Sequence, residues 1–337
     1  MNPLLSAEYI SDKAIDVFIN NTGIESAAEL ILSEIKLHKD LLYVTKIQPL
    51  TPTGLTDQET LEWMFVLDVL NFCFWSDSDV LFTVSYSDSQ WTGYRALRAA
   101  FLKAIEAGTP IHKPSFYASI TKEVLSDILR STTSVDVPML KERVDCLQEA
   151  GKVLIEKFGG SVQELVKESG QSAIKLVELL FNNFSSFRDV AVYKGQKVFF
   201  LKRAQIFVSN VWSAFGGSGY GTFHDINTLS MFADYRVPQT LQFLGVLNYS
   251  DSLLKKLQGG IHIEQGSGIE CEIRGCSIHA VELIRKKLCL LVSADPELDS
   301  DVDLHAVLID CYLWNYAKDH REVMKSYPIH KTYTIFY

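Results

Sequence analysis

The stretch from Val198 to Leu244, VFFLKRAQIFVSNVWSAFGGSGYGTFHDINTLSMFADYRVPQTLQFL, decides how the rest of the chain is read. From Phe200, apolar residues recur at Ala204, Phe207, Val208, Val211 and Phe215, one face of a 3.6-residue period, and predict a helix. The GGSGYG run at 216–221 breaks it. A short segment, Asn227 to Ala233, stops at Asp234-Tyr235-Arg236-Val237 before Pro238. Proline suits a first helical turn, so a second helix is expected to start there and to carry Leu241, Leu244 and Leu247. The pattern is helix, bend, helix, with a carboxylate at the bend. Positive backbone dipoles at a helix start favour the ionised form of that carboxylate, which suits a reaction passing through a cation.

Outward from this stretch, the chain reads as one mainly α domain, 1–337, with a few short β segments. Helical patterns cover 9–45 (as two helices), 61–75, 94–107, 121–131, 139–158, 161–168, 171–183, 277–291 and 302–318. The loop Thr51–Thr60 ends in a capping pattern, Thr56 followed by Glu59. Val80–Tyr86 suggests a strand. VAVYKGQKVFF at 190–200 and IHIEQGSGIECEIRG at 261–275 suggest hairpins, and the tail from Thr332 reads as extended.

Hydrophobic residues make up 47% of the 337 and charged residues 22%, ordinary proportions for a globular protein. A net charge of −9 argues against a protein held on nucleic acid by phosphate contacts. The amino terminus lacks a basic region followed by an apolar run, and no apolar stretch reaches membrane-spanning length. The cysteines at 73, 146, 271, 276, 289 and 311 show no CxxC spacing and suggest buried free thiols. Cys271, Cys276 and His279 lack a fourth ligand, so no metal site is expected. Signatures for phosphate loops, nucleophile elbows, zinc helices and dinucleotide folds are absent from the sequence.

Five groups of residues carry chemistry, each with a bland alternative. Asn71, Phe72, Phe74 and Trp75 suit stacking and edge bonding to a planar base, or else the end of a core helix. Lys202 and Arg203 suit a phosphate contact near a helix start, or else a solvated face. Asp234, Tyr235 and Arg236 suit an active carboxylate, or else a helix cap with an ion pair. Cys271 to His279 alternates as a strand entering a helix, with His279 and Glu282 as a pH-tuned pair, or else forms a structural turn. Asp310 and Trp314 lie four apart on one helical face, as site residues or as core packing around a paired acid.

Taken together, NFCFW at 71–75, LKRAQIFVSNVW at 201–212, LSMFADYRVPQ at 229–239, EIRGCSIHAVELI at 272–284 and DCYLWNYAKDHRE at 310–322 resemble the queuosine salvage protein family. That family comprises queuosine 5′-phosphate N-glycosylases/hydrolases, and the resemblance covers nearly the whole chain. It implies a fold like that of the helix-hairpin-helix DNA glycosylases, although the LPGVG-type hairpin is missing here. It implies that Asp234 is the catalytic acid of the ADYR motif. Lys202 and Arg203 then fall in a KRAQ motif suited to phosphate, with Lys202 the favoured contact. Asn71, Phe72, Phe74 and Trp75 would surround the base, with Tyr235, Arg236, Asp310 and Trp314 as further substrate contacts.

The implied substrate is queuosine 5′-monophosphate, and the implied product is queuine for tRNA modification. Breaking its glycosidic bond develops an oxocarbenium-like cation, which an ionised carboxylate stabilises. A 7-deazaguanine has carbon in place of N7, so protonation there cannot help it leave, and more of the work falls on Asp234. Queuine also carries a cationic amine, for which Asp310, Asp225 or Glu270 is a candidate partner. The resemblance requires no metal or organic cofactor, and implies a cytoplasmic monomer without a stable nucleic-acid complex. The competing functions are a non-catalytic carrier of queuine or its nucleotide, and a glycosylase acting on nucleic acid.

Overall fold

The computed structural model describes residues 1–37, 50–78, 80–298 and 304–337. The expected helical pattern through 45 and the start of the 302–318 helix lie in part outside the described residues. Among those described, the protein is mainly helical, its strands forming three two-stranded antiparallel pairs. The chain divides into two compact units, each built from several segments.

The first unit takes residues 1–45, 189–205 and 225–332. It holds α1 (Pro3–Ser11), β1 (Val17–Ile19), α2 (Asn21–Leu37), β4 (Val190–Tyr193), β5 (Gln196–Phe199) and the first turn of α10 (Lys202–Ala214). It continues with α11 (Arg236–Phe243), β6 (Leu247–Tyr249), α12 (Asp251–Gln258), α13 (Gly268–Ala294) and α14 (Ala306–Asp319). The 27-residue α13 is its axis, packed on α1 and α2. Gly275 permits the closest approach: a Cβ there would meet the Ile10 side chain at 2.6 Å. Ala7, Ile10, Ala28 and Ile31 pack with Ile273, Ile278 and Val281 in one apolar core.

The hairpin expected at 190–200 is present, with Lys194 and Gly195 both at positive φ in its turn, 45° and 82°. The hairpin expected at 261–275 is not. Ser267 caps α13 by accepting the Glu270 N–H, while Glu270 accepts the Gly266 N–H at 2.6 Å, so the helix begins at Gly268. This helix is buried nearly all round at its start, which hides its 3.6 period. Its polar residues are inside because they bind the rest of the unit. The Glu272 carboxylate accepts from Ile15 N, Asp16 N and Tyr193 Oη at 2.9, 2.7 and 2.8 Å. Leu247, expected on the helix with Leu241, instead lies on β6, paired with Ile19.

The second unit takes residues 46–188, 206–224 and 333–337. It holds α3 (Asp57–Val69), β2 (Thr83–Tyr86), β3 (Ser89–Thr92), α4 (Tyr94–Glu106), α5 (Pro114–Tyr117), α6 (Lys122–Ile128), α7 (Leu140–Lys157), α8 (Val162–Glu168) and α9 (Ala173–Asn183). The Thr56–Glu59 capping box opens α3 as expected. Phe65, Phe184, Phe187 and Phe207 form an aromatic centre, ring centroids 5.3–6.0 Å apart. The helix expected through Trp75 stops at Val69. Arg143 of α7 takes the carbonyls of Leu70, Phe72 and Cys73 at 2.7, 2.6 and 2.8 Å, and Cys73 is at φ 45°. Those carbonyls are therefore committed outside the helix. Among the described residues no helix is long and apolar enough to cross a membrane. The cysteines are free thiols; Cys289 is half-buried and Cys311 exposed, and the other four are buried as expected.

Candidate active site

Asp234 sits one residue before the helix-start residue Tyr235, in the first unit. Its Oδ1 accepts the backbone N–H groups of Arg236 and Val237 at 2.7 and 2.9 Å, the first donors of α11. Pro238 falls within the first turn, so the helix begins two residues earlier than the proline alone suggests. The Arg236 guanidinium lies over the Tyr235 ring at 5.4 Å and donates to Gln239 Oε1 at 3.0 Å. The cap anticipated from the sequence is thus made by backbone N–H groups. Oδ2 accepts no hydrogen bond among the described residues.

A second carboxylate serves the same segment. Asp310 of α14 accepts the Phe232 N–H at 2.9 Å. Asp310 and Asp234 are 6% and 8% exposed. Trp314, one turn further along α14, is half-buried with the Lys318 ammonium over its ring. Burial raises the Asp234 carboxyl above the ordinary aspartate range, against the pull of Lys202, the two N–H groups and Arg236. The helix-start donors are there, but desolvation outweighs them. Asp310 is raised much further, by burial and by the charge of Asp234. Both carboxyls are therefore held above the ordinary aspartate range, and the charge of one opposes ionisation of the other.

Lys202 and Arg203 are 4% and 1% exposed, so neither faces solvent. Leu201, at φ 55°, turns the chain into α10 and sends Lys202 inward. The charge of Lys202 acts on both carboxylates, opposing the rise of each. The Lys202 N–H is held by Asp189 Oδ2 at 3.0 Å. Asp189 in turn takes both Nη atoms of Arg274, at 2.8 and 2.6 Å, and Arg274 Nε donates to the Ala233 carbonyl at 3.0 Å. Asp189 lies outside the five groups that the sequence singles out, and Arg274 stands in the fourth of them without a role of its own. The signal in the sequence is Glu270 and Arg274 four apart, a helical spacing inside the segment whose alternation suggests a hairpin. Glu270, a candidate partner for a substrate amine, is 1% exposed and engaged by Gly266 N–H and Arg274.

Asn71, Phe72, Phe74 and Trp75 belong to the second unit. Phe72 is 0% exposed, and the Arg143 guanidinium lies over its ring and that of Phe74 at 4.4 and 4.9 Å. Trp75 packs on Tyr333, centroids 4.5 Å apart. The GGSGYG connection lines a cavity of about 530 Å³ in this unit with Lys167, Gln171 and Thr222. Among the described residues, no group of three or more His, Cys, Asp or Glu side chains could hold a metal ion.

Two buried carboxylates and an ammonium in one mainly helical unit, Asp234 and Lys202 at helix starts and Asp310 within α14, form an arrangement suited to stabilising a developing cation. Comparison with known proteins gives the family. The model of the queuosine salvage protein family matches residues 50–337, and the chain belongs to that family. It is 44% identical over 338 residues to a mouse protein named queuosine 5′-phosphate N-glycosylase/hydrolase, covering 100% of this chain and 99% of that one. A protein of the same name from Schizosaccharomyces pombe is 38% identical, covering 94% and 91% of the two chains. One from Sphaerobacter thermophilus is 39% identical, covering 82% and 80%.

Proposed function

We infer that this chain hydrolyses the N-glycosidic bond of queuosine 5′-monophosphate and releases queuine, the activity named for its relatives. The observation that carries the reading is Asp234, anchored through Oδ1 with Oδ2 left over, beside Lys202 and a second buried acid. In this proposal the ionised Asp234 faces the anomeric carbon and stabilises the oxocarbenium-like transition state. It also orients the attacking water. Asp310, holding its proton, supplies a proton donor in the same site for a leaving base that cannot be protonated at N7. A neutral Asp310 is a poor partner for the queuine amine, so the proposal does not give it that task.

Lys202 acts on the carboxylates, and the 5′-phosphate is assigned to Arg236, half-buried at the start of α11. Phosphate contacts then fix the sugar against Asp234 without entering bond breaking. Asn71, Phe74 and Trp75 remain the proposed base-binding set. The proposal treats 1–337 as one functional domain of a cytoplasmic monomer, with an arrangement like that of helix-hairpin-helix DNA glycosylases. It includes no stable complex with nucleic acid, in keeping with the net charge of −9. Incubating the protein with the nucleotide and following free queuine by mass spectrometry tests the activity. Wild type must release the base and Asp234→Asn must not; absence of release by wild type overturns the reading.

A further inference from the structure

The Asp189–Arg274 ion pair occupies the core of the first unit, with side chains 3% and 2% exposed. It is more than a charge pair, because each partner also holds a piece of backbone. Asp189 Oδ2 accepts the N–H of Lys202 at 3.0 Å, the first residue of α10. Arg274 Nε donates at 3.0 Å to the carbonyl of Ala233, the residue before Asp234. The two backbone points that carry the site's cation and its anion are therefore tied to opposite ends of one bidentate pair. Further contacts hold the guanidinium in its plane. The Phe200 ring lies 4.1 Å from it, and Glu270 Oε1 is 3.4 Å from Nη1. Asp189 also receives the Phe200 N–H at its carbonyl, 3.1 Å, so the bend into α10 through Leu201 is fixed from the same residue.

We propose that Asp189 and Arg274 are positioning residues for the glycosidic hydrolysis, setting the separation of Lys202 from Asp234. The proposal rests on the reading of Asp234 as the catalytic carboxylate. Neither residue need touch the substrate. The required geometry is a planar fork that reaches one carboxylate with two N–H groups and a carbonyl with a third. An ammonium in the same place keeps the charge but makes one contact where the fork makes three.

The pair's role differs from mere stabilisation in what it does to titration. The charged and titratable groups bearing on Asp234 are Lys202 of α10, Arg236 of α11 and Asp310 of α14. Lys202 favours the ionised form of Asp234. If the brace loosens and Lys202 draws back, Asp234 keeps its proton to higher pH. The acid limb of the kcat profile then moves upward in pH, and the neutral-pH rate falls. His330, which also senses the charge of Arg274, is driven by burial down to about 3, so it stays neutral across this range.

The test compares wild type, Arg274→Lys and the double variant Asp189→Leu/Arg274→Met. The double variant removes the two charges of the bidentate pair together, an exchange that folded proteins often tolerate, and leaves Glu270 its bond from the Gly266 N–H. Folding is checked by circular dichroism and melting, and kcat is measured with queuosine 5′-monophosphate from pH 4 to 9. The expected result is a folded double variant and a folded Arg274→Lys, each with kcat down roughly tenfold or more and the acid limb displaced to higher pH. A folded double variant with wild-type kcat and acid limb overturns the proposal. So does a loss of rate, per folded molecule, with the limb unmoved. Asp234→Asn is run alongside: if it retains activity the catalytic reading itself fails, whereas an inactive Asp234→Asn beside an unaffected double variant removes only the brace.

Discussion

Arg274 and Arg143 are both buried, one in each unit, yet they bind different atoms. Arg274 meets the carboxylates of Asp189 and Glu270 and the carbonyl of Ala233. Arg143 meets the carbonyls of Leu70, Phe72, Cys73 and Pro138 and lies over two phenyl rings. The first arrangement places charged groups against one another and leaves oxygens of Asp234 and Asp310 without hydrogen bonds among the described residues. The second satisfies backbone groups that a broken helix leaves behind. The difference teaches where to look for chemistry: an arginine surrounded by carbonyls shapes a loop, whereas one shared between charged neighbours arranges a field.

The comparison breaks most sharply at Asp234. Asp234→Asn keeps the side-chain shape and loses the charge, so activity should fall by about a thousandfold or more with melting little changed. Release of queuine at near wild-type rate would end the distinction between the units. In the second unit the large effect should be on folding. Arg143→Met leaves carbonyls without donors, at about 1–3 kcal/mol each. Phe72→Ala empties a fully buried site, at about 3–5 kcal/mol. Chemical denaturation checks both, and a Phe72→Ala protein as stable as wild type would show that the ring is not core.

Lys202→Met is the next test. Since the ammonium acts on the two carboxylates, kcat/KM should drop roughly a hundredfold on the nucleotide and on the unphosphorylated nucleoside alike. A loss confined to the nucleotide would assign Lys202 to the phosphate instead. Arg236→Met should show that selective loss. The smallest effect is in pH. Asp234 is raised by burial, so wild-type activity should fall as the pH drops through a limb above the ordinary aspartate value of 3.8. Removing Lys202 deletes a charge that favours the anion, so the limb in residual activity should shift to higher pH.

Much of this was legible in the sequence where local rules dominate. The Thr56–Glu59 box, the Lys194-Gly195 turn and the helix carrying Phe207 and Val211 follow from caps, positive-φ residues and periodicity. Asp234 at a helix start was legible because proline and the ADYR run sit together. The start of α13 was not, since Glu272 and Arg274 are inside for the sake of partners far away in sequence, Tyr193 and Asp189. The end of α3 was hidden likewise, because Arg143 lies 73 residues beyond Leu70. Burial of Lys202 is hidden for a related reason: a lysine opposite the apolar stripe of a helix looks solvated until another segment covers it.

The packing of α1 and α2 on α13 has a consequence for synthesis. Ile10 meets Gly275, so the first two helices leave the ribosome with their apolar faces bare until α13 emerges. At about 5–20 residues per second that interval is on the order of tens of seconds. The amino-terminal segment of this protein should therefore be a client of nascent-chain holdases, and codon changes that slow translation between β1 and α13 should lower soluble yield without altering the purified protein.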